Sequence, residues 1–344
     1  LFITLAPVLA PLASRADLNE GDYTYTTNAA RQATITSFTK SYTGALSITN
    51  VLGGYPVSSI SSNAFYKCSK LTSVTIPASV TSIGDSAFYY CYSLTSVTIP
   101  GSVTNIGNAA FSSCHDLTNL VVGTGVKSIG DAAFYYCSNL TSVTIPDSVT
   151  TIGNAAFYRC SGLTSVTIPA SVISIGNNAF YGCFKLTSLT IPNSVTTIGD
   201  SALRSCSGLN SVTISTKVTA IGNSVFYDCT GLTSVTIPDS VISIGDSGLR
   251  NCYSLSNLVI GAGVTTIADS AFYGCSKITS ATLHNDLFSF SLGIVLRNSP
   301  LASVRIGDSV TSIGDCAFGH CYSLAAITVD PDRSEERRVG KECR

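Results

Sequence analysis

Charge is scarce in this chain. Only 11% of its 344 residues are Asp, Glu, Lys or Arg, and the formal net charge is −1. The body of the sequence holds no basic run or stripe, which excludes the electrostatic footprint of a nucleic-acid binder. Histidine is nearly absent. His115 and His320 each adjoin a cysteine, Cys114 and Cys321, far apart in the chain, and His284 stands alone. With no C-x-x-C or H-x-x-x-H spacing, neither a metal site nor a cofactor is expected. A nucleophile needs a partnered base, and no histidine here stands near a distinctive acid, so no catalytic residue is expected. Methionine is missing altogether, so the initiator is not in the sequence. Apolar runs long enough to cross a bilayer are missing too. The most apolar stretch, Leu1 to Ala16, is short and interrupted by Pro7 and Pro11. Its small-residue ending, Ser14-Arg15-Ala16, has the form of a signal-peptidase site. Residues 1–16 are therefore expected to be a truncated secretory signal, the alternative being an apolar first strand of the folded domain.

Hydrophobic residues, by contrast, make up 45% of the chain, the balance of a sequence that folds rather than stays disordered. Cysteine recurs every 23 residues, at Cys68, Cys91, Cys114, Cys137, Cys160, Cys183, Cys206, Cys229, Cys252 and Cys275. Asn298 takes the next position, and the beat returns at Cys321. A fixed period of this length, free of insertions, is the mark of a solenoid.

One coil reads LTSVTIPDSVTTIGNAAFYRCSG, Leu140 to Gly162. Strand alternation puts Val143 and Ile145 inward and Ser142 and Thr144 outward. Pro146 ends the strand, having no N–H for a ladder. Val149 and Ile152 form a second inward pair, and Gly153 permits a turn. Asn154 is expected to cap a short helical turn carrying Ala156 and Phe157, and Cys160 faces inward. Stacking turns these positions into apolar columns: Leu71 to Leu324, Ile60 to Ile313, and Phe65 to Phe318. About twelve coils are expected.

This unit resembles the BspA-like leucine-rich repeats over roughly Tyr55 to Asp330. That resemblance implies a right-handed solenoid with a parallel sheet on a concave face. It also implies roles in adhesion and protein–protein interaction at bacterial and protist surfaces, without enzymatic activity in the repeats. The coil from Ile278 to Pro300 departs most from the pattern, with Ala281, Leu283, His284, Leu287, Phe290 and Val295 in place of the usual residues. Its spacing is kept, so a distorted coil is expected there.

The expected organisation is a signal at 1–16, an N-terminal β cap at 17–54, the solenoid at 55–332 and a foreign tail at 333–344. Residues 17–54 lack the period but alternate polar with β-branched and apolar residues, and an exposed solenoid end needs covering. The tail, RSEERRVGKECR, packs eight charged residues into twelve positions. It resembles the conceptual translation of a sequencing adapter, and the native sequence is expected to run on beyond Asp332. The other reading is a basic C-terminal tail.

One cysteine per coil at a core position fits a buried free thiol better than a disulfide, although neighbouring coils are close enough for bridging. Cys316 lies outside the column. Asp85, Asp131, Asp200, Asp246, Asp269 and Asp315 share one slot with Asn108, Asn154, Asn177 and Asn223, an exchange that a cap or turn tolerates and an acid–base pair does not.

Two surface rows are candidates for binding. The first is the neutral strand row at Thr144, Thr167, Thr190, Thr213 and Thr236, although threonine also simply suits an exposed strand. The second is the tyrosine stripe at Tyr135, Tyr158, Tyr181 and Tyr227, with Tyr66, Tyr89 and Tyr273 in the same slot. Tyrosine suits binding surfaces, but partial burial between coils would also account for it. The expected function is extracellular recognition of a protein or glycan by a secreted or cell-surface protein. Two alternatives are the non-catalytic repeat region of a larger secreted enzyme and an ice-binding-like structural solenoid. The second needs strict rows, which Val121, Val259 and Arg305 interrupt.

Overall fold

The computed structural model describes residues 17–268, 270–283, 300–306 and 323–329. The apolar leader, the charged tail, His284, His320, Phe290, Val295, Asn298, Ile313, Cys316, Phe318, Cys321 and Asp269 lie outside the described residues.

The described residues wind into a β-solenoid of about eleven coils with parallel sheets, as expected. Each fully described coil has three legs. In the coil from Leu140, the first leg is the strand Ser142–Thr144 and the second the strand Thr151–Ile152. The third is a run of turns from Asn154 to Arg159. Alternation sorts the side chains as expected. Val143, Ile145, Val149, Ile152, Phe157 and Cys160 are all buried, while Ser142 and Thr144 are exposed.

Five strands precede the first full coil: β1 (Leu18–Glu20), β2 (Tyr23–Thr27), β3 (Ala33–Phe38), β4 (Gly44–Ser47) and β5 (Val51–Leu52). They engage the first and second legs of the solenoid's opening coils. β1, β2 and β3 form an antiparallel set, and β3 then pairs in parallel with β6 (Tyr55–Ile60), which starts the second-leg sheet. β4 pairs in parallel with β7 (Leu71–Thr75), which starts the first-leg sheet. Tyr25, Ile35, Phe38, Leu46 and Leu52 join the same continuous core as the repeats. Phe38 sits 5.0 Å from Phe65, extending the phenylalanine column into this segment.

The second-leg strands pair coil to coil without a break from Ser82–Ile83 to Thr197–Ile198, and again from Ala220–Ile221 to Thr266–Ile267. The first-leg strands are parallel and in register, but they fall into separate ladders, with divisions after Asn119–Val121, Ser165–Thr167 and Asn257–Ile260. At one division the backbone bond from Thr187 N–H to the Thr164 carbonyl lengthens to 3.4 Å, against 2.9 Å from Thr164 to Thr141 one coil earlier.

The third leg corrects the expectation of a helical turn. Ala155 and Arg159 have φ of 50° and 52°, in the left-handed region, where an α-helix cannot continue. The N–H groups alternate in direction. Those of Ala155, Phe157 and Arg159 donate to the carbonyls of Asn177, Ala179 and Tyr181 in the next coil, at 2.7, 2.8 and 2.6 Å. Those of Ala156, Tyr158 and Cys160 turn back to Gly153, Ala155 and Phe157, at 3.4, 3.0 and 3.2 Å. The left-handed slots recur at Ala132 and Tyr136, and at Ser201 and Ser205. A non-glycine residue costs about 1–2 kcal/mol in this conformation, and a net hydrogen bond returns about 1 kcal/mol. The third leg is thus a further inter-coil ladder, built from strained turns. Gly153 serves close approach here: a Cβ would come within 2.7 Å of the Asp131 nitrogen and the Gly130 carbonyl carbon.

Inside, Phe88, Phe111, Phe134, Phe157 and Phe180 stack with neighbouring rings 5.0–5.5 Å apart and within about 11° of parallel. The ten described cysteines are free and buried. Each of the last nine, from Cys91 to Cys275, points its thiol at a carbonyl of the coil before. Cys160 Sγ lies 3.1 Å from the Phe134 oxygen and Cys206 Sγ 3.1 Å from the Phe180 oxygen. A thiol fits this position because it fills space as a small apolar group and still donates weakly.

Candidate functional site

The five sheet-face threonines come from the first-leg strands, where Pro or a short turn ends each strand and alternation turns the side chain out. All five are exposed. Thr144 is register partner to Thr167, and Thr190 to Thr213. The division after Ser165–Thr167 places these pairs on separate ladders, and Thr236 lies opposite Val259. Among the described residues none of the five hydroxyls has a hydrogen-bond partner. The threonines three residues earlier in the coil behave differently. Thr95, Thr118, Thr164 and Thr233 each donate to a carbonyl one coil before, at 2.9–3.2 Å. One threonine row is therefore spent on the fold and the other is free to meet a partner.

The tyrosine stripe lies on the third leg. Tyr135, Tyr158 and Tyr181 are half-buried and stack face to face, 4.7 and 4.6 Å apart and within about 15° of parallel. Stacked faces are covered faces, so these rings present edges rather than a platform. Burial, then the neighbouring phenols, raises the Tyr135 pKa above its ordinary value. Further along, a hydrogen bond with Tyr90 is the main cause that pushes Tyr89 up to about 12. Tyr227 is not in ring contact with Tyr181, because Arg204 occupies the slot between them. Its guanidinium carbon is 5.7 Å from the Tyr181 ring centre and 4.3 Å from that of Tyr227. Arg250 repeats the arrangement at 5.9 Å from Tyr227 and 4.6 Å from Tyr273. Arg159, one slot over, lies 5.7 Å from Tyr136.

The cations in this stripe escaped the reading of the sequence, although a signal was present. In both coils where Leu203 and Leu249 replace the column phenylalanine, arginine replaces the tyrosine that follows it. At Ser112 and Ser113 the stripe is interrupted by two small buried residues.

The Asp/Asn slot also has a different role from the cap expected of it. Asp131 Oδ1 accepts the Asn154 backbone N–H at 2.7 Å, and Oδ2 accepts the Asn154 amide at 3.2 Å. Asn154 Oδ1 accepts the Asn177 N–H, and Asn177 Oδ1 that of Asp200, each at 2.8 Å. Asp200 then holds Asn223 as Asp131 holds Asn154. The slot is a side-chain ladder between coils. From Asp85 to Asp246 no two aspartates are neighbours in it.

No group of three or more His, Cys, Asp or Glu among the described residues is placed to hold a metal ion, and no described helix is long and apolar enough to cross a membrane. The periodic core, the parallel ladders and the cysteine column agree with what sequence comparison finds. The BspA type leucine rich repeat region, in six copies, matches residues 36–161, 127–241 and 204–325. This chain is a BspA-type leucine-rich repeat protein. Among solved structures it is similar to a leucine-rich cell surface protein of Faecalibacterium prausnitzii, at 31% identity over 93% of this chain and 96% of that one, with a TM-score of 0.61. It is also similar to a leucine-rich repeat protein of Bacteroides ovatus, at 27% identity over 91% and 90% of the two chains, with a TM-score of 0.55. No curated protein matches. The described residues present an exposed hydroxyl row, uncharged from Thr144 to Thr236, and an aromatic–cationic edge.

Proposed function

We propose that this BspA-type protein is a non-enzymatic recognition module, secreted or held at a cell surface, that binds a protein or glycan through its first-leg sheet face. The observation behind this reading is the contrast between the two threonine rows. Thr144, Thr167, Thr190, Thr213 and Thr236 keep their hydroxyls unspent, at the middle of the array, where several coils can touch one partner at once. The likeness to a cell surface protein that spans nearly the whole chain supports the location. Residues 1–16 would then be the remnant of a secretory signal, 17–54 the cap of the array, 55–332 the array itself, and 333–344 not native.

The row is neutral, so affinity should rest on shape and hydrogen bonds and change little with salt. Thr167→Glu and Thr190→Lys should weaken binding to an extracellular ligand, found for instance on an array of host glycans and matrix proteins, with the circular dichroism spectrum unchanged. Tyr158→Ala and Tyr181→Ala should leave that binding intact. If the tyrosine changes abolish it and the threonine changes do not, the site is the stripe at Tyr135, Tyr158, Tyr181 and Tyr227 instead.

A further inference from the structure

The third leg carries cations that the fold holds in place without neutralising. Arg204 and Arg250 each lie between two tyrosine rings, and Arg159 lies beside Tyr136. All three have their Nε buried with no hydrogen-bond partner, so packing rather than a hydrogen bond at Nε fixes each guanidinium. None forms an ion pair among the described residues.

Carboxylates are present on the same leg, but they are engaged elsewhere. Asp131 and Asp200 use both oxygens on the asparagine of the next coil. Asp228 accepts the Asn251 amide at 2.9 Å. Asp246 accepts the Ser247 hydroxyl at 3.4 Å. A guanidinium that is half-buried, without an ion pair among the described residues and held against tyrosine, in Arg159 also by a side-chain hydrogen bond with Tyr158, has little entropy left to lose on meeting an anion.

The spacing narrows the choice of anion. Arg204 and Arg250 occupy the same slot two coils apart, and Arg159 precedes Arg204 by two coils in the adjoining slot. At about 4.8 Å per coil the interval is roughly 10 Å. An extended acidic peptide repeats a given face every two residues, about 7 Å, and drifts out of step with this row. A linear polysaccharide that carries one acidic group per disaccharide repeats on the longer interval. The tyrosine edges between the arginines offer phenol hydroxyls beside its sugar hydroxyls.

We propose that Arg159, Arg204 and Arg250 form a track for an extended acidic polysaccharide, whose carboxylate or sulfate groups, two sugars apart, pair with successive guanidiniums along the solenoid. This track is separate from the sheet face and does not depend on that face binding anything.

The repeats supply their own control substitutions. The slot of Arg204 and Arg250 holds tyrosine at Tyr181, Tyr227 and Tyr273, and the slot of Arg159 holds glycine at Gly182 and Gly274. The triple variant Arg159→Gly, Arg204→Tyr, Arg250→Tyr therefore removes the charge with residues that the fold already accepts. The test is affinity electrophoresis of the whole chain through gels cast with polygalacturonate, hyaluronate or chondroitin sulfate. Dextran serves as the neutral control and polyglutamate as the acidic-peptide control.

The expected result is retardation by at least one acidic polysaccharide, relieved by salt and absent with dextran. The triple variant should bind about tenfold more weakly or worse, with an unchanged circular dichroism spectrum, and Lys127→Ala, which removes an exposed cation outside the track, should bind like the parent chain. The proposal is overturned if no acidic polysaccharide retards the parent, if the triple variant is retarded equally, or if polyglutamate binds as tightly. Failure of the sheet-face reading would appear separately, in the threonine variants alone.

Discussion

The cysteine column should give this protein a steep alkaline edge. Burial pushes the thiol of Cys68 up to about 11. It pushes those of Cys137 and Cys206 up to about 12. Cys91, Cys114, Cys160, Cys183 and Cys229 are raised by the same cause. In Cys252 a hydrogen bond with Cys275 is the larger cause and burial the second. An unfolded thiol ionises near pH 8.5–9. Below that pH both states hold the proton, and the thiols add no pH dependence. Above it the unfolded chain releases protons that the folded chain keeps, so stability falls as pH rises towards the folded pKa values. Each thiol contributes about 1.4 kcal/mol per pH unit. Nine unfolding together would give a slope of about 12 kcal/mol per pH unit, and a unit of three coils about 4. The slope therefore reports how many coils unfold cooperatively.

The assay is urea unfolding at a series of pH values from 8 to 11, followed by circular dichroism, with thiolate absorbance near 240 nm recorded separately from phenolate absorbance near 295 nm. The double variant Cys137→Ala, Cys160→Ala should lower the slope by about 3 kcal/mol per pH unit if both coils belong to one unit. A stability independent of pH between 9 and 10.5, or thiolate appearing before the circular dichroism signal is lost, would refute the reasoning.

Other outcomes are set by the core and by the third leg. Phe134, fully buried between two stacked rings, should lose about 3–5 kcal/mol on change to Ala. Change to Leu, the residue at Leu203 and Leu249, should cost under about 1.5 kcal/mol, and Lys127→Ala should stay within about 0.5 kcal/mol, all by urea denaturation. Ala155→Gly should leave the melting temperature unchanged or raise it, because glycine relieves the left-handed strain at φ 50°. Ala156→Gly, next to it and without that strain, should lower stability by about 1 kcal/mol. Among the described residues, Asn223→Asp would set three carboxylates in succession with Asp200 and Asp246. Thermal melts at two salt concentrations should show a loss of about 1–2 kcal/mol at pH 7. Like charges raise a carboxyl pKa in the folded state, so this loss should fade as pH falls towards 4.

The parts of the structure readable from sequence were those governed by one coil's own pattern. Alternation placed Val143 and Ile145 inside and Thr144 outside, and a recurring apolar cysteine announced a core column. The BspA resemblance rested on the same positions. What escaped was set between coils. The left-handed residues carry ordinary identities, Ala155, Arg159 and Ser205, so no glycine flags the turns and the segment reads as helical. Asn154, expected to cap its own turn, instead accepts the N–H of Asn177 in the next coil. The sheet-face row was visible as a row, but its division into ladders depends on backbone spacing that residue types do not encode. Arg204 and Arg250 of the third leg stand in a slot that most coils fill with tyrosine, and only the paired exchange of Phe-Tyr for Leu-Arg at 203–204 and 249–250 marks them.

The Asp/Asn ladder also sets which coils can be excised. Any 23-residue unit can in principle be removed whole, since the ladders close up in register. Removing the unit that carries Asn154 would bring Asp131 against Asn177, and removing the one that carries Asn177 would bring Asn154 against Asp200, both compatible contacts. Removing the unit with Asn108 would set Asp85 against Asp131, and removing the one with Asn223 would set Asp200 against Asp246. Shortening is thus opposed by like charge at the two units that carry Asn108 and Asn223 and not at those between them, which gives repeats of equal length unequal freedom to be lost.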